Sequence, residues 1–187
     1  EKIDAYRGKD NAKFLIYWRG KLPVTSCSYD KLCWVGKDHP LVVNCLEAPI
    51  FLGLEDNKPL FSVNISNWSP KGYDTEAAKT FFDSNVYNHP YLPENSYFGE
   101  LRGFMSQISA REAELAVITK GINTWHENNL YCPKCGSFTK ITNAGWQRNC
   151  VKCGTFHFPR TDPVVIMLVT HGNFVLLGRS HGWPDKM

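Results

Sequence analysis

The chain has 187 residues, a formal charge of +3, 43% hydrophobic and 21% charged residues, the profile of an ordinary globular protein with length for one to two domains. So small a net charge does not by itself mark a nucleic-acid binder. No run approaches the roughly 18–20 apolar residues of a membrane span and no signal-like segment opens the chain, although Glu1 in place of an initiator methionine leaves room for a removed leader.

Residues 1–12 read as a lead-in or a first helix, because charges from Glu1 to Asp10 interrupt any apolar run. Phe14-Leu15-Ile16-Tyr17-Trp18 reads as a strand, Arg19-Gly20-Lys21 as its turn and Leu22-Pro23-Val24 as the return. Residues 41–46 and 50–54 are further strand candidates, and residues 60–65 alternate with period two. The polar stretch Glu55-Asp56-Asn57-Lys58-Pro59 joins the last two as a hairpin loop. These segments predict a meander of antiparallel strands. Asp74 to Phe82 suggests a short helix, and Asn88 to Pro93 a proline-punctuated loop in which His89 is a loop residue rather than a ligand.

The strongest helix signal begins at Ser109-Ala110-Arg111-Glu112, a capping box in which the serine hydroxyl takes an amide and the glutamate reaches back to the cap. Leu115, Ile118, Ile122 and Trp125 recur at helical spacing to about His126. This helix is expected to pack on the sheet, with His126 in a structural role near its C-terminus.

Beyond it, Cys132-Pro133-Lys134-Cys135 and Cys150-Val151-Lys152-Cys153 are separated by fourteen residues. Two C-x-x-C turns at this distance present four sulfurs to one metal ion, the pattern of a structural zinc ribbon. Gly136 and Gly154 follow each second cysteine, where a knuckle needs positive φ. A redox pair or disulfides are the rival readings, but a single redox motif has no need of its duplicate. Of the seven cysteines, Cys27, Cys33 and Cys45 remain, expected as packed or exposed thiols. An odd remainder beside a thiolate–zinc site points to the cytoplasm or another reducing compartment.

Val164 to Thr170 reads as a fully buried strand, His171-Gly172-Asn173 as a turn and Phe174 to Arg179 as the returning strand. A single hairpin is marginal alone, so residues 159–187 read as the opening of a domain whose remainder lies outside this stretch.

The order of parts then becomes informative. A sheet domain containing Phe51-Leu52-Gly53-Leu54 and Glu100-Leu101-Arg102 leads to a helix ending in Trp125-His126. The four-cysteine ribbon, Phe158-Pro159-Arg160-Thr161-Asp162-Pro163 and Leu176-Leu177-Gly178-Arg179 follow. This succession resembles the NADH pyrophosphatases, the zinc-containing branch of the Nudix hydrolases, over nearly the whole chain from Phe14. The resemblance implies an α+β fold: an amino-terminal antiparallel-sheet, Nudix-like domain with a packing helix (1–128), a zinc ribbon (129–157), and the opening β-hairpin of a Nudix α/β/α sandwich (158–187). It implies hydrolysis of NADH or NAD to nicotinamide mononucleotide and AMP, and in some members removal of NAD caps from RNA. It further implies a homodimer, structural zinc on Cys132, Cys135, Cys150 and Cys153, and Mg²⁺ or Mn²⁺ for the chemistry.

The family's loop–helix motif, G-x5-E-x7-R-E-U-x-E-E-x-G-U, has no match here. The nearest imitation, Arg111-Glu112-Ala113-Glu114-Leu115-Ala116, puts Leu115 and Ala116 where paired glutamates belong, and Tyr97 and Gly103 at the upstream glycine and glutamate. No catalytic residue is therefore assigned, and the chain alone is expected to be inactive as an amino-terminal fragment. Two substrate contacts carry over by resemblance: Arg102 near bound nucleotide, against a surface ion pair, and Phe158 stacking on substrate, against core packing. A different class of function is a zinc-ribbon module that binds nucleic acid or a protein partner without catalysis. Lys134, Lys140, Arg148, Lys152 and Arg160 surround the ribbon, and no acidic residue lies between Tyr131 and Thr161.

Overall fold

The Phe14–Trp18 run is apolar at every position because it is buried on both sides. In the computed structural model, which describes residues 2–25, 31–73, 83 and 85–178, Lys13–Tyr17 forms β1 at the centre of a sheet. Phe14, Ile16 and Trp18 point into one cluster with Val35, Phe61 and Val63. Leu15 and Tyr17 point into a second, with Leu22, Val24, Leu101 and Phe104. Alternation along a strand delivers successive side chains to opposite faces, so a strand covered twice is apolar throughout.

The elements preceding the helix are α1 (Lys2–Arg7), β1, β2 (Lys21–Thr25), β3 (Trp34–Gly36), α2 (Pro40–Val43), β4 (Ile50–Glu55), β5 (Lys58–Asn64), β6 (Ser96–Glu100) and α3 (Leu101–Phe104). Four strands lie in the order β3-β1-β5-β4, and β2 pairs with β6 in a second sheet. The arrangement departs from a simple meander in two pairings. β1 runs parallel to β5, with Phe14 opposite Phe61 and Ile16 opposite Val63. The return strand expected beside β1 instead leaves through the turn at Arg19 and Gly20 to pair antiparallel with β6.

Residues 41–46 do not form the strand that their apolar content suggests. His39 caps α2 by accepting the Leu41 amide on Nδ1, and Pro40 sits at its first turn, where a missing N–H costs nothing. The β4–β5 hairpin forms as expected and tightens to a turn at Asp56 and Asn57, both at positive φ. The expected helix over residues 74–82 lies outside the described residues, as do Cys27 and the final strand position at Arg179.

α4 spans Ala110–Asn128, and the Ser109 hydroxyl accepts the Glu112 amide at 3.1 Å. The other half of the expected capping box does not form. The Glu112 carboxylate turns away to accept the Leu32 amide and the Trp34 indole N–H, tying the helix start to the entry into β3. The buried stripe of α4 is Leu115, Ala116, Thr119, Ile122, Asn123 and His126, more polar than the apolar spacing predicts. Asn123 donates to Ser62 Oγ and to the Thr119 carbonyl, each at 2.8 Å. Tyr17 donates from its hydroxyl to Glu127 Oε2 at 2.9 Å, and Lys120 pairs with Glu100 at 2.6 Å. Polar bonds thereby fix where the helix sits along the sheet.

The ribbon follows as β7 (Thr139–Thr142), a short 3₁₀ turn (Asn143–Gly145), β8 (Gln147–Cys150) and β9 (Phe156–His157). After it, β10 (Thr170–His171) and β11 (Phe174–Val175) form a short hairpin. The strand expected to be fully buried from Val164 is instead exposed, with Ile166 at 99%. Nothing among the described residues packs against this segment, and an uncovered two-stranded hairpin holds little order in water. Among the described residues, no helix is long and apolar enough to cross a membrane.

Candidate metal centre

The two knuckles are built by the same backbone device. In the first, the Gly136 amide donates to the Cys132 carbonyl at 2.8 Å and the Cys132 amide to the Ser137 carbonyl at 2.8 Å. In the second, Gly154 donates to Cys150 at 3.2 Å and Cys150 to Thr155 at 3.0 Å. Each loop closes through a glycine at φ +70°, a conformation that a Cβ would strain.

The knuckles bring Cys132, Cys135, Cys150 and Cys153 together with all four sulfurs within 4.8 Å of one another. Cys132 Sγ lies 3.7 Å from Cys153 Sγ, and Cys135 Sγ lies 3.4 Å from Cys150 Sγ. Disulfide sulfurs would stand about 2.0 Å apart. A tetrahedral shell with Zn–S bonds of about 2.3 Å has sulfur–sulfur edges of about 3.8 Å. The observed spacing fits the metal shell and not the disulfides.

Hydrogen bonding favours thiolate at two of the positions. The Thr155 hydroxyl, 3.1 Å away, and its backbone bring the Cys153 thiol down to about 6. Ser137, through backbone and hydroxyl, lowers Cys135. Burial raises Cys132 to about 11, the position where a bound cation must do most to displace the proton. Four thiolates leave no open coordination position for a water or substrate.

The ribbon's attachment to the sheet domain was not visible in the sequence. Arg148 is expected there to be a surface cation, but it is 3% exposed. It alternates with Cys150 along β8, so both turn inward. Its Nε donates to Thr139 Oγ1 at 2.7 Å and its Nη2 to the Thr139 carbonyl at 2.9 Å, while Nη1 lies 3.1 Å from His126 Nδ1. His126 Nε2 lies 2.7 Å from the Gly145 carbonyl. Only one tautomer satisfies both contacts: Nε2 carries the hydrogen and donates, and Nδ1 accepts from the guanidinium. Trp146 adds an indole N–H bond to the Phe51 carbonyl at 2.6 Å. A cleft of about 270 Å³ opens at this seam, lined in part by Glu47, Asn64, His126, Glu127 and Arg148.

Burial lowers His126 to about 4, and the nearby Arg148 charge acts in the same direction. Above its ordinary value of 6.5 the imidazole is neutral whether the chain is folded or not. Between pH 6.5 and 4 the unfolded chain takes up a proton that the seam refuses, so stability falls through that window and levels off below it. The expected loss is at most about 3 kcal/mol. Comparing chemical denaturation of the native chain with His126→Gln at pH 7 and pH 4 isolates it, since zinc loss on acidification is common to both. A folded-state His126 ring titration near 6.5 by NMR would refute the assignment.

The remaining expected site residues are not gathered at the four sulfurs. Arg102 is an exposed residue of α3, and its sequence neighbours Glu100 and Gly103 line a small cleft of about 140 Å³. Phe158 is 58% exposed just past β9, so it is not core. Cys33 is buried in the first cluster, and the Cys45 thiol donates to the Glu47 and Asn64 carbonyls; among the described residues no disulfide forms.

Residues 11–125 match the NADH pyrophosphatase-like rudimentary NUDIX domain, and residues 127–158 match the NADH pyrophosphatase zinc ribbon domain. The chain belongs to the NADH pyrophosphatase-like NUDIX family. Similar members include the NAD-capped RNA hydrolase NUDT12 of Homo sapiens, 32% identical over 133 residues, covering 64% of this chain and 27% of that protein. The mitochondrial NAD(P)H pyrophosphatase NUDT13 of Homo sapiens is 34% identical over 90 residues, covering 48% of this chain and 26% of that one. The NAD-capped RNA hydrolase NudC of Stutzerimonas stutzeri (strain A1501) is 36% identical over 80 residues, 43% of this chain and 29% of that protein. The matched stretch thus spans between 26% and 29% of these relatives' lengths. In this family the four-sulfur cluster is the zinc ribbon.

Proposed function

We propose that the protein carrying this chain hydrolyses the pyrophosphate of NADH or NAD to nicotinamide mononucleotide and AMP, with NAD-capped RNA as a related substrate. The supporting observation is the uninterrupted succession of a rudimentary NUDIX domain and a zinc ribbon along residues 11–158. Relatives named as NAD-capped RNA hydrolases and as an NAD(P)H pyrophosphatase point the same way.

In this reading Cys132, Cys135, Cys150 and Cys153 hold a structural zinc ion, and the ribbon, locked to the sheet domain through His126, Gly145 and Arg148, acts as a platform. The domains divide as 1–128, 129–157 and 158–187, the last opening a catalytic NUDIX sandwich whose facing layer covers the exposed Val164–Leu177 stretch. Arg102 lies near the bound nucleotide and Phe158 stacks on the substrate; both are exposed, as contact requires. Bound Mg²⁺ or Mn²⁺ would supply charge neutralisation at the pyrophosphate oxygens and an activated water. The glutamate-rich motif that holds such ions in the family has no counterpart in these residues, so the chain by itself does not turn over substrate. The protein acts as a homodimer in a reducing compartment.

AMP release from NADH with Mn²⁺, followed by chromatography, tests both statements. The whole protein is expected to turn over and the 187-residue chain is not. An inert whole protein sinks the assignment, whereas turnover by the chain alone sinks only the second statement.

A further inference from the structure

The ribbon sheet has two faces of opposite character. Across it, Ile141, Arg148 and His157 stand in one row, and Lys140, Asn149 and Phe156 in the next. The first row faces the seam, where Arg148 meets His126, so alternation turns the second row outward. Phe156 on that row is 59% exposed, and Phe138, two residues before Lys140, is 48% exposed. The polar groups on this face are occupied with each other, since Thr142 and Gln147, one row beyond Lys140, both bond to Asn149 Oδ1. The two phenylalanine rings are largely open to solvent on the face that carries Lys140, Phe138 meeting Tyr131 edge-on, and Lys152 is exposed in the knuckle that follows β8.

Charge decides what fits there. Residues 130–161 contain no Asp or Glu, and Lys134, Lys140, Lys152 and Arg160 are all exposed. Arg160 pairs with Asp162 at 3.3 Å, and the three lysines by themselves outnumber the two negative charges that a tetrathiolate zinc centre carries. Open aromatic rings interleaved with uncompensated cations make a platform for single-stranded nucleic acid, because every base has a face to stack and every linkage a phosphate to hold. An apolar protein surface would leave the cations unmatched.

We propose that this outer face binds single-stranded RNA, with bases stacked on Phe138 and Phe156 and phosphates held by Lys140 and Lys152. The inference rests on the capped-RNA reading above. Phe158, assigned there to the substrate, lies two residues beyond Phe156, so an RNA body continues from the cap onto the face.

Fluorescence anisotropy of the zinc-loaded 187-residue chain with a labelled, uncapped oligouridylate is the test. Phe138→Ala and Phe156→Ala should each weaken binding about ten-fold, and Phe156→Tyr should retain it. Lys140→Gln should lower the slope of log affinity against log salt by about 0.7. Zinc content checks that each variant is folded, and Phe156→Leu replaces any alanine variant that is not. Equal affinity across folded variants, equal binding of duplex RNA, or self-association abolished by Phe156→Ala would each overturn the proposal, the last by making the face a protein interface. In the whole protein, Phe138→Ala and Phe156→Ala should leave hydrolysis of free NADH unchanged. Failure of RNA binding with NADH turnover intact therefore sinks this inference alone, and absent NADH turnover sinks the enzymatic reading alone.

Discussion

Replacing Cys150 with serine should release zinc and unfold the ribbon while the amino-terminal sheet stays folded. The reason lies in what the ribbon buries. Between residues 129 and 158 only Cys132, Thr139, Gly145, Arg148 and Cys150 are buried, and two of these are proposed metal ligands. No apolar core remains to hold the three strands once the ion is gone. Metal binding in comparable sites supplies about 10–16 kcal/mol of apparent folding free energy, far beyond what β7–β8–β9 pairing can replace. The sheet domain depends instead on Phe14, Trp18, Phe61 and their neighbours, none of which belongs to the ribbon. Elemental analysis should give one zinc per native chain and none for Cys150→Ser. Hydrogen exchange should show protection lost from residues 129–157 and kept in β1 and β5. Native-like protection of the ribbon without metal would refute the closed-shell reading.

The second large effect is expected at Gly145, where Gly145→Ala should undock the ribbon at a cost of about 4 kcal/mol. Two penalties coincide there. The residue sits at φ +97°, which costs an L side chain about 1–2 kcal/mol. An added Cβ would also stand 2.5 Å from Ile50 Cγ2 and 2.8 Å from Ile50 Cγ1. Ile50 is itself buried in β4, so it cannot swing aside, and overpacking of this kind adds about 1–3 kcal/mol. Any retreat of the 3₁₀ turn stretches the bond from His126 to the Gly145 carbonyl, leaving a buried donor unsatisfied. Zinc should remain bound, because neither knuckle is touched. Exchange protection should fall at Trp146 and at the end of α4, and a variant with native stability and native exchange there would show that the close approach carries no weight.

The two effects differ in how visible they are beforehand. A C-x-x-C turn followed by glycine is a local device whose purpose can be read from four consecutive residues. The Ser109 cap is equally local, and both appear where the sequence puts them. The β4–β5 hairpin belongs to the same class, set by a polar loop between two apolar runs. Gly145 carried no such signal, because the atom it must avoid belongs to a residue 95 positions earlier.

Where expectation and structure part, the segment's own signal loses to a competing partner or finds none to satisfy it. Glu112 abandons the capping box for Leu32 and Trp34. Residues 40–43 coil because His39 and Pro40 start a turn before strand pairing can claim them. Arg148, counted with the ribbon's surface cations, is turned inward by its alternation with Cys150 and held by Thr139 and His126. The Val164–Val169 run is apolar enough for a buried strand but finds nothing among the described residues to cover it.

From the sequence alone came the four-sulfur cluster, the start of α4, the α+β composition and the family, all written in short spacings or in their order along the chain. Only the tertiary structure decided that β1 pairs parallel with β5, that α4 buries Thr119, Asn123 and His126, and that Arg148 joins the ribbon to the sheet domain. The physical reason is range. A knuckle or a cap is completed within a few residues of itself, whereas a strand's neighbour and a cation's burial are chosen by groups brought together only when the whole chain has closed.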